Sequence, residues 1–318
     1  MAQTWTWAQI APVAASIDLV SAMEAAFVAY SEGRAVIPPV GELNFDQPPG
    51  DVHLKYGYNR GGDHYVVKIA SGFYDNPKRG LSSSNGLMLL FNQRTGEPVA
   101  ILLDEGKLTD LRTAAAGAVA AKHLGPTSVY GIGIVGAGIQ ARMQLRALES
   151  ITRCRQAWIW ARRGEAATEY ATQMSQRGWS VHVAHEVPEL LERCNLVVTT
   201  TPSTTALVRG SDLRPGTHIT AMGSDTPSKR ELDTEALLRA DRVVADSRSQ
   251  CATRGEISRA TAEGFDASAV LELGDVIAGR SPGRSSDKEI TVVDLTGVAV
   301  QDLAIAEAVA RKLADLGA

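Results

Sequence analysis

Cysteine is scarce in this chain. The three present, Cys154, Cys194 and Cys251, lie far apart and form no CxxC pair, and their odd number argues against a disulfide framework. A reducing, cytoplasmic setting is expected. Six histidines show no HExxH or similar ligand spacing, so no metal site is expected, and His182 and His185 read as surface residues. Long apolar runs are missing; none approaches the roughly 20 residues of a membrane span. The start, "MAQTWTWAQI", has no basic end followed by a long apolar core, so no signal peptide is expected. An excess of positive charge is absent too. The 32 Lys and Arg against 36 Asp and Glu leave a net −4, which offers nucleic acid no basic surface. Internal repeats and low-complexity tracts are lacking, short serine runs aside.

What remains is an ordinary globular composition over 318 residues, enough for two domains. Residues 12–33 have a helical pattern with a break at Gly33. "VIPPVGELNFDQPPGD" is rich in proline and glycine and reads as loop and edge structure. Four strand-like runs follow: "HLKYGY", "YVVKIA", "GLMLLF" and "PVAILL". Between the second and third, the polar stretch "SGFYDNPKRGLSSSNG" is long for a hairpin and reads as a lid or a mobile loop. "TDLRTAAAGAVAAKHLG" predicts a helix with a Thr or Asp start, a Gly stop, and small residues at 114–118 that allow close packing. From "VYGIGIV" onward, strands alternate with helices through "AWIW", "SVHV", "NLVVTTT", "HITAMG", "RVVADS" and "ITVVDL". Such alternation predicts an α/β fold, a doubly wound parallel sheet, beside a strand-rich α+β domain. The last segment, "LTGVAVQDLAIAEAVARKLADLGA", reads as an amphipathic helix returning to the first domain. The expected division is 1–122 with 300–318, the strand-rich domain, and 123–299, the alternating one.

Within "VYGIGIVGAGIQARMQLRAL", Gly136-Ala137-Gly138-Ile139-Gln140-Ala141 places GxGxxA between a strand and a helix. Gly136 permits the tight turn, Gly138 lets a pyrophosphate reach the backbone at the helix N-terminus, and Ala141 lets helix and strand approach closely. With further strands around it, the motif predicts a Rossmann-type dinucleotide site. Thr200 and Thr201, ending "NLVVTTT", and Met222 and Gly223, ending "HITAMG", join Ile139 and Gln140 as candidate cofactor contacts. The end of the second strand selects the cofactor, because NAD binders usually carry an acid there. Here "WIWARR" has Ala161, then Arg162 and Arg163, and two guanidiniums suit a 2′-phosphate. NADP(H) is favoured; NAD(H) is the alternative if the arginines are merely solvated.

A charge interrupts the apolar run "YVVKIA". Val66, Val67, Ile69 and Ala70 read as buried with Lys68 among them, and an unpaired buried ammonium is expensive. Lys68 either snorkels to water or faces a ligand. Arg112 lies near the start of the alanine-rich helix. Asp225 lies beyond the carboxyl end of "HITAMG", where open parallel sheets bind ligands.

The segments "VKIASGFYDNP", "GLMLLF", "TGEPVAILLDEGKLTDLRTAAAGAVAAKHL", "GIVGAGIQA", "TTTPS", "GSDTPSKREL" and "GVAVQDLA" together resemble the ornithine cyclodeaminase/mu-crystallin family over nearly the whole chain, the run from Thr95 to Leu124 most specifically. The resemblance implies that Lys68 and Arg112 grip a substrate α-carboxylate and that Asp225 is the acid/base at the amine or imine nitrogen. It implies that Ser83 approaches the nicotinamide, although Ser82 stands where the family usually has proline. It also implies substrate binding and homodimerisation through the strand-rich domain, to which "GLMLLF" and "AILL" lend apolar surface. On this reading Lys68 is buried because an anionic substrate and nearby dipoles compensate it.

The chain departs from members that act on ornithine. Those members place an acid on the strand before the lysine, where it holds the distal amine; the matching position here is Lys55, in "DVHLKYGY". If the two strands pair in suitable register, Lys55 and Lys68 face one site and repel a distal ammonium; otherwise Lys55 is an exposed strand lysine. Glu42, in "PPVGEL", is a replacement acid, and the same loop lacks an arginine that other members use for the carboxylate. Three functions compete. The favoured one is NAD(P)H-dependent reduction of imines of 2-oxo acids, such as Δ1-pyrroline-2-carboxylate or Δ1-piperideine-2-carboxylate, which run backwards or with free ammonia is an amino-acid dehydrogenase. The second is an ornithine or lysine cyclodeaminase, forming proline or pipecolate with release of ammonia. The third is a protein that holds NADPH and a small carboxylate without turnover, which the presence of Asp225 disfavours.

Overall fold

The computed structural model describes residues 2–73 and 75–317; Tyr74, in the segment "VKIASGFYDNP", lies outside them. The elements begin with β1 (Gln3–Thr6), α1 (Trp7–Ala14), α2 (Leu19–Ser31), β2 (Ala35–Val36), β3 (Gly41–Asp46), β4 (Pro49–Asn59), β5 (His64–Phe73), β6 (Ser84–Asn92), β7 (Pro98–Leu103) and α3 (Lys107–Leu124). They continue with β8 (Ile132–Val135), α4 (Ile139–Ala147), β9 (Gln156–Trp160), α5 (Gly164–Ser175), β10 (Ser180–Val183), α6 (Val187–Arg193), β11 (Leu196–Thr199) and β12 (His218–Ala221). The last are α7 (Thr234–Leu238), β13 (Arg242–Ala245), α8 (Arg248–Cys251), α9 (Gly255–Ala262), β14 (Leu271–Glu272), α10 (Leu273–Ile277), β15 (Thr291–Asp294) and α11 (Ala299–Gly317). Two compact units divide the chain: Met1–Arg112 with Val298–Ala318, and Thr113–Gly297.

The first unit is built on a sheet in the order β1-β7-β6-β5-β4-β2, with β3 also pairing with β4. All pairs are antiparallel except β1 with β7. The helical pattern over 12–33 is two helices rather than one. Helix α1 already starts at Trp7, where Thr6 and Gln9 form a capping box. The break comes at 16–18, where the Ser16 hydroxyl donates back to the Val13 carbonyl (2.7 Å) and Asp18 caps α2 by accepting from Ser21 N–H (3.1 Å). Helix α3 likewise starts earlier than Thr109 or Asp110. Asp104 accepts from Leu108 N–H (2.8 Å), after a turn in which Glu105 and Gly106 both have positive φ.

Strand alternation sorts this sheet into two faces. One face carries the cross-strand row Lys55, Lys68, Met88 and Leu102, all buried. Helix α11 packs over β4, β5 and β6. The opposite face carries the row Tyr56, Val67, Leu89 and Ile101, of which Tyr56 is exposed and the other three are half-buried.

The second unit holds an eight-stranded, wholly parallel sheet in the order β10-β9-β8-β11-β12-β15-β13-β14. Every residue of β8, β11, β12 and β15 is buried, as expected for parallel strands covered on both faces. Strands β8 to β12 follow the doubly wound order, with the direction of winding reversing between β8 and β11. The core packs Val135, Leu190, Val197, Ile219 and Val292 together. The three cysteines are free thiols. Among the described residues, no single helix is long and apolar enough to cross a membrane, and no group of His, Cys, Asp and Glu is placed to hold a metal ion.

Candidate active site

In the first unit, β4 and β5 pair in the register that sets Lys55 directly opposite Lys68. Both side chains lie on the buried face; Lys55 is 7% exposed and Lys68 2%. Lys55 is therefore no exposed strand lysine. The Lys68 ammonium lies 3.1 Å from Asp302 Oδ2, on α11. Arg112 Nε donates to Asp302 Oδ1 at 2.9 Å, and its Nη1 reaches Gln301 Oε1 at 3.5 Å. Asp302 is fully buried. The burial of Lys68 thus has an internal counter-ion, where substrate and dipoles were expected to compensate it. Removing one partner from such a buried pair costs roughly 3–5 kcal/mol, because the other charge stays behind. The sequence carried no local sign of this role: Asp302 stood only as a polar residue in "GVAVQDLA".

Burial pushes the Lys68 ammonium down to about 7; Asp302 opposes the shift, while Arg112 and Lys55 add to it. Burial alone would raise the Asp302 carboxyl, but Lys68, Arg112 and Lys55 outweigh it and hold that carboxyl below its usual range. Asp104, beneath the start of α3, is raised to about 6 by burial, against the hydrogen bond from Leu108. Three cations and two carboxylates leave these five groups, Lys55, Lys68, Arg112, Asp104 and Asp302, at +1 when all are ionised. Glu42 pairs with His53 across β3 and β4, on the same face as Lys55 and two residues along the strand; its carboxylate is 3.7 Å from His53 Nδ1. Ser83 lies just before β6 and its carbonyl accepts from Phe73 N–H at 2.8 Å.

In the second unit, β8 runs into the glycine turn and α4. Gly136 has φ +112°, and an added Cβ would sit 2.6 Å from Thr200 Oγ1, so only glycine fits. Gly138 precedes α4 with no side-chain cap, and the space where its Cβ would stand is open. The first N–H groups of the helix are thus available to an anion. Ala141 is fully buried, and Tyr170 Oη donates to its carbonyl at 3.1 Å. Arg142, which the motif did not single out, donates to the Ala137 and Gly138 carbonyls at 2.5 and 3.0 Å and steadies the turn.

A cavity of about 310 Å³ opens at this turn, within the range of small-molecule sites. Its walls include Gly136, Ala137, Gly138, Ala161, Arg162, Arg163, Thr200 and Thr201, together with Trp160, Ala166, Pro202, Ser203 and Leu207. The last five were not singled out in the sequence, although Trp160 stands in "WIWARR" and Pro202 and Ser203 in "TTTPS"; Ala166 and Leu207 stand in no motif. Ile139, Gln140, Met222 and Gly223 lie in the same unit but not in this wall. The open approach at Gly138, the uncapped helix start and the cavity size fit a dinucleotide, and no acid ends β9.

A profile of the ornithine cyclodeaminase/mu-crystallin family matches residues 6–316. The chain belongs to that family. It is 44% identical to an uncharacterized cyclodeaminase of Sinorhizobium fredii over 302 residues, 94% of this chain and 91% of that one. It is 34% identical to the iminosuccinate reductase of Paracoccus denitrificans over 293 residues, 91% and 89% of the two chains. Among solved structures, an archaeal alanine dehydrogenase dimer with bound NAD superposes with a TM-score of 0.90 at 33% identity, covering 100% of this chain and 97% of that one. The Δ1-pyrroline-2-carboxylate reductase of Thermococcus litoralis, in complex with NADH and L-proline, gives 0.92 at 28% identity and covers 99% and 98%.

In this family member, Asp225 follows β12 in the loop "GSDTPSK". Its carboxylate lies 2.6 Å from the Lys229 ammonium and is partly open to solvent. Arg254 Nη1 donates to the Asp225 carbonyl at 3.4 Å. Lys229 was not among the expected site residues, although it stands four positions on from Asp225 within "GSDTPSKREL".

The depressed Lys68 ammonium sets a pH dependence. If Lys68 grips a carboxylate, as the family resemblance implies, the ligand needs Lys68 charged and raises its pKa on binding, so binding takes up a proton and weakens as pH rises through about 7. Titrating a substrate-like carboxylate such as L-proline from pH 6 to 9 is expected to show affinity falling by up to about tenfold per unit above neutrality. Flat affinity over that range would remove Lys68 from the carboxylate site.

Proposed function

We propose that this protein is an NAD(P)H-dependent reductase of imines of 2-oxo acids, of the Δ1-pyrroline-2-carboxylate or Δ1-piperideine-2-carboxylate type, and acts in reverse as an amino-acid dehydrogenase. The observation that carries the reading is the buried Lys55 directly opposite Lys68. Ornithine or lysine cyclodeamination requires a place for a second ammonium. A lysine there opposes it: like charges about 4 Å apart repel by about 4 kcal/mol at an effective dielectric near 20. The names of the relatives, among them an iminosuccinate reductase and a Δ1-pyrroline-2-carboxylate reductase, support the same chemistry. The name of the Sinorhizobium fredii relative favours the second reading, cyclodeamination, in which Glu42 would be the acid for the distal amine.

In the proposed reaction Lys68 and Arg112 hold the substrate carboxylate, which fixes the neighbouring carbon in place. Lys55 strengthens the same positive field. Asp225 is assigned to the imine nitrogen, where a carboxylate stabilises the protonated, more electrophilic form or exchanges its proton. Lys229 restrains that carboxylate. The nicotinamide cofactor, when bound, supplies the hydride. Gly136, Gly138 and the start of α4 would hold its pyrophosphate, Thr200 and Thr201 would line its path, and Ser83 and Met222 are assigned to the nicotinamide end. Arg162 and Arg163, beside Ala161 in the cavity wall, support a preference for NADP(H) over NAD(H).

A homodimer belongs to the same proposal. The half-buried face of the first sheet presents Tyr56, Val67, Leu89 and Ile101, with Leu43, Phe45 and Leu103 exposed nearby. Such an apolar area is what a two-fold pairing buries.

The reading is tested by following nicotinamide absorbance with NADPH or NADH and either cyclic imine, beside an assay for ammonia release from ornithine or lysine with NAD+. Stoichiometric reduced-cofactor consumption is expected; ammonia release with no net cofactor change would make the protein a cyclodeaminase. Asp225→Asn is expected to fold, to bind cofactor normally and to lose most turnover, and an unchanged kcat would take Asp225 out of the chemistry. The double substitution Arg162→Ala with Arg163→Ala is expected to weaken NADPH far more than NADH in direct binding. Equal losses would contradict the assignment of these arginines to a 2′-phosphate.

A further inference from the structure

Beneath the ends of β11 and β12 lies a carboxylate that none of the site assignments uses. Glu231 is fully buried. Its Oε2 accepts from Thr199 Oγ1 at 2.7 Å and from Gly223 N–H at 2.8 Å, and its Oε1 accepts from Thr201 N–H at 2.5 Å. One side chain thus ties together the segments that follow two neighbouring parallel strands. The fit is close: a Cβ on Gly223 would run into the Thr201 backbone and the Glu231 carboxylate.

Glu231 is itself seated. Glu256, near the start of α9 and 1% exposed, accepts from Glu231 N–H at 2.7 Å and from Leu232 N–H at 3.1 Å. The charged and titratable groups nearby include Asp294 on β15, with Asp246 after β13 beside it, and Arg230, whose guanidinium interacts with the Glu256 carboxylate; Asp225, Lys229 and Arg254 lie along the same loop and the turn before α9.

We propose that Glu231, seated by Glu256, is a positioning residue that fixes the segments 199–201 and 222–223 in the relative placement a bound dinucleotide requires. The inference rests on reading the second unit as the dinucleotide site. Its chemistry follows from the donors. Three hydrogen-bond donors converge on one side chain, and only an acceptor-only carboxylate satisfies all three; an amide would turn an N–H toward one of them. The loop between β12 and Glu231 also carries Asp225, so the same clamp places the candidate acid/base.

The second glutamate makes the arrangement tolerable. Burial, and then the facing charge of Glu231, raise the Glu256 carboxyl to about 8. Burial raises the Glu231 carboxyl as well, and the donors at Thr199, Thr201 and Gly223 oppose that shift; a neutral Glu256 removes the facing charge that would add to it. Because its folded-state pKa is raised, the stabilisation Glu256 contributes is full at acid pH and is lost as pH rises through about 8. Above it, two buried carboxylates repel and the clamp loosens.

The test is amide hydrogen exchange on the protein without cofactor, with dinucleotide affinity measured beside it by NAD(P)H fluorescence. Glu231→Gln is expected to lower the protection of Thr201 and Gly223 amides by roughly tenfold or more, as for loss of a hydrogen bond to a buried charge, and to weaken NAD(P)H binding similarly. Protection and affinity both within twofold of wild type would overturn the proposal. Should Glu231→Gln fail to fold, Glu256→Gln decides, since it mimics the neutral carboxyl. Wild-type protection at Thr201 and Gly223 is expected to drop between pH 7 and 9, and Glu256→Gln to abolish the drop; identical profiles would overturn the proposal. A wild type that binds neither NADPH nor NADH would refute the dinucleotide reading instead, and with it the purpose of the clamp, whatever the exchange shows.

Discussion

Asp302 meets Lys68 at 3.1 Å and Arg112 at 2.9 Å, and the charged centre of the first unit depends on that shared contact. Two cations cannot be taken out of water side by side without an anion between them. The aspartate does not cancel them: with Lys55 opposite Lys68, the cluster keeps positive character. Lys68 is left near the middle of its titration at neutral pH, because burial and two neighbouring cations outweigh one carboxylate. A site in that condition responds strongly to the arrival of one more negative charge.

The second unit solves the opposite problem. Its parallel strands end in backbone donors that need acceptors, and buried carboxylates provide them: Glu231 for Thr201 and Gly223, Glu256 for Glu231 and Leu232, and Asp294 for Ile257. At the glycine turn, by contrast, donors are left open, since Gly138 has neither a side chain nor a cap. Occupied donors hold the loops in place, and open ones offer an anion site. The cavity at that turn adds two arginines where a ribose-binding acid would stand.

Family membership by itself does not choose among the activities that relatives carry, for they include a dehydrogenase, reductases and a protein named as a cyclodeaminase. The strand register sets a buried lysine, Lys55, opposite Lys68, and on the proposed reading that lysine disfavours a substrate with a distal ammonium.

Much of the fold was legible in the sequence, because its signals are local. The glycine turn needs only positive φ at Gly136 and a small residue at Ala141. The alternation of buried strands and helices from residue 130 onward follows from apolar runs of strand length. Local signals failed where short side-chain bonds decide, as at 16–18, where Ser16 and Asp18 end one helix and begin another. Lys68, Arg112 and Lys55 were recognisable as candidates from one strand, one helix and a family pattern. Their grouping was not, since it depends on strand register and on a carboxylate 190 residues from Arg112. The sequence by itself determined the longer apolar strands, though not β1, β3 or β14, together with the turn that is open to a phosphate and the charges that stand in apolar surroundings, all set by neighbours a few residues away. Only the tertiary structure decided that Asp302 compensates Lys68, that Lys55 is buried beside it and that Glu231 ties two strand ends together, because a buried charge takes its partner from whatever packing brings near, however distant in the chain.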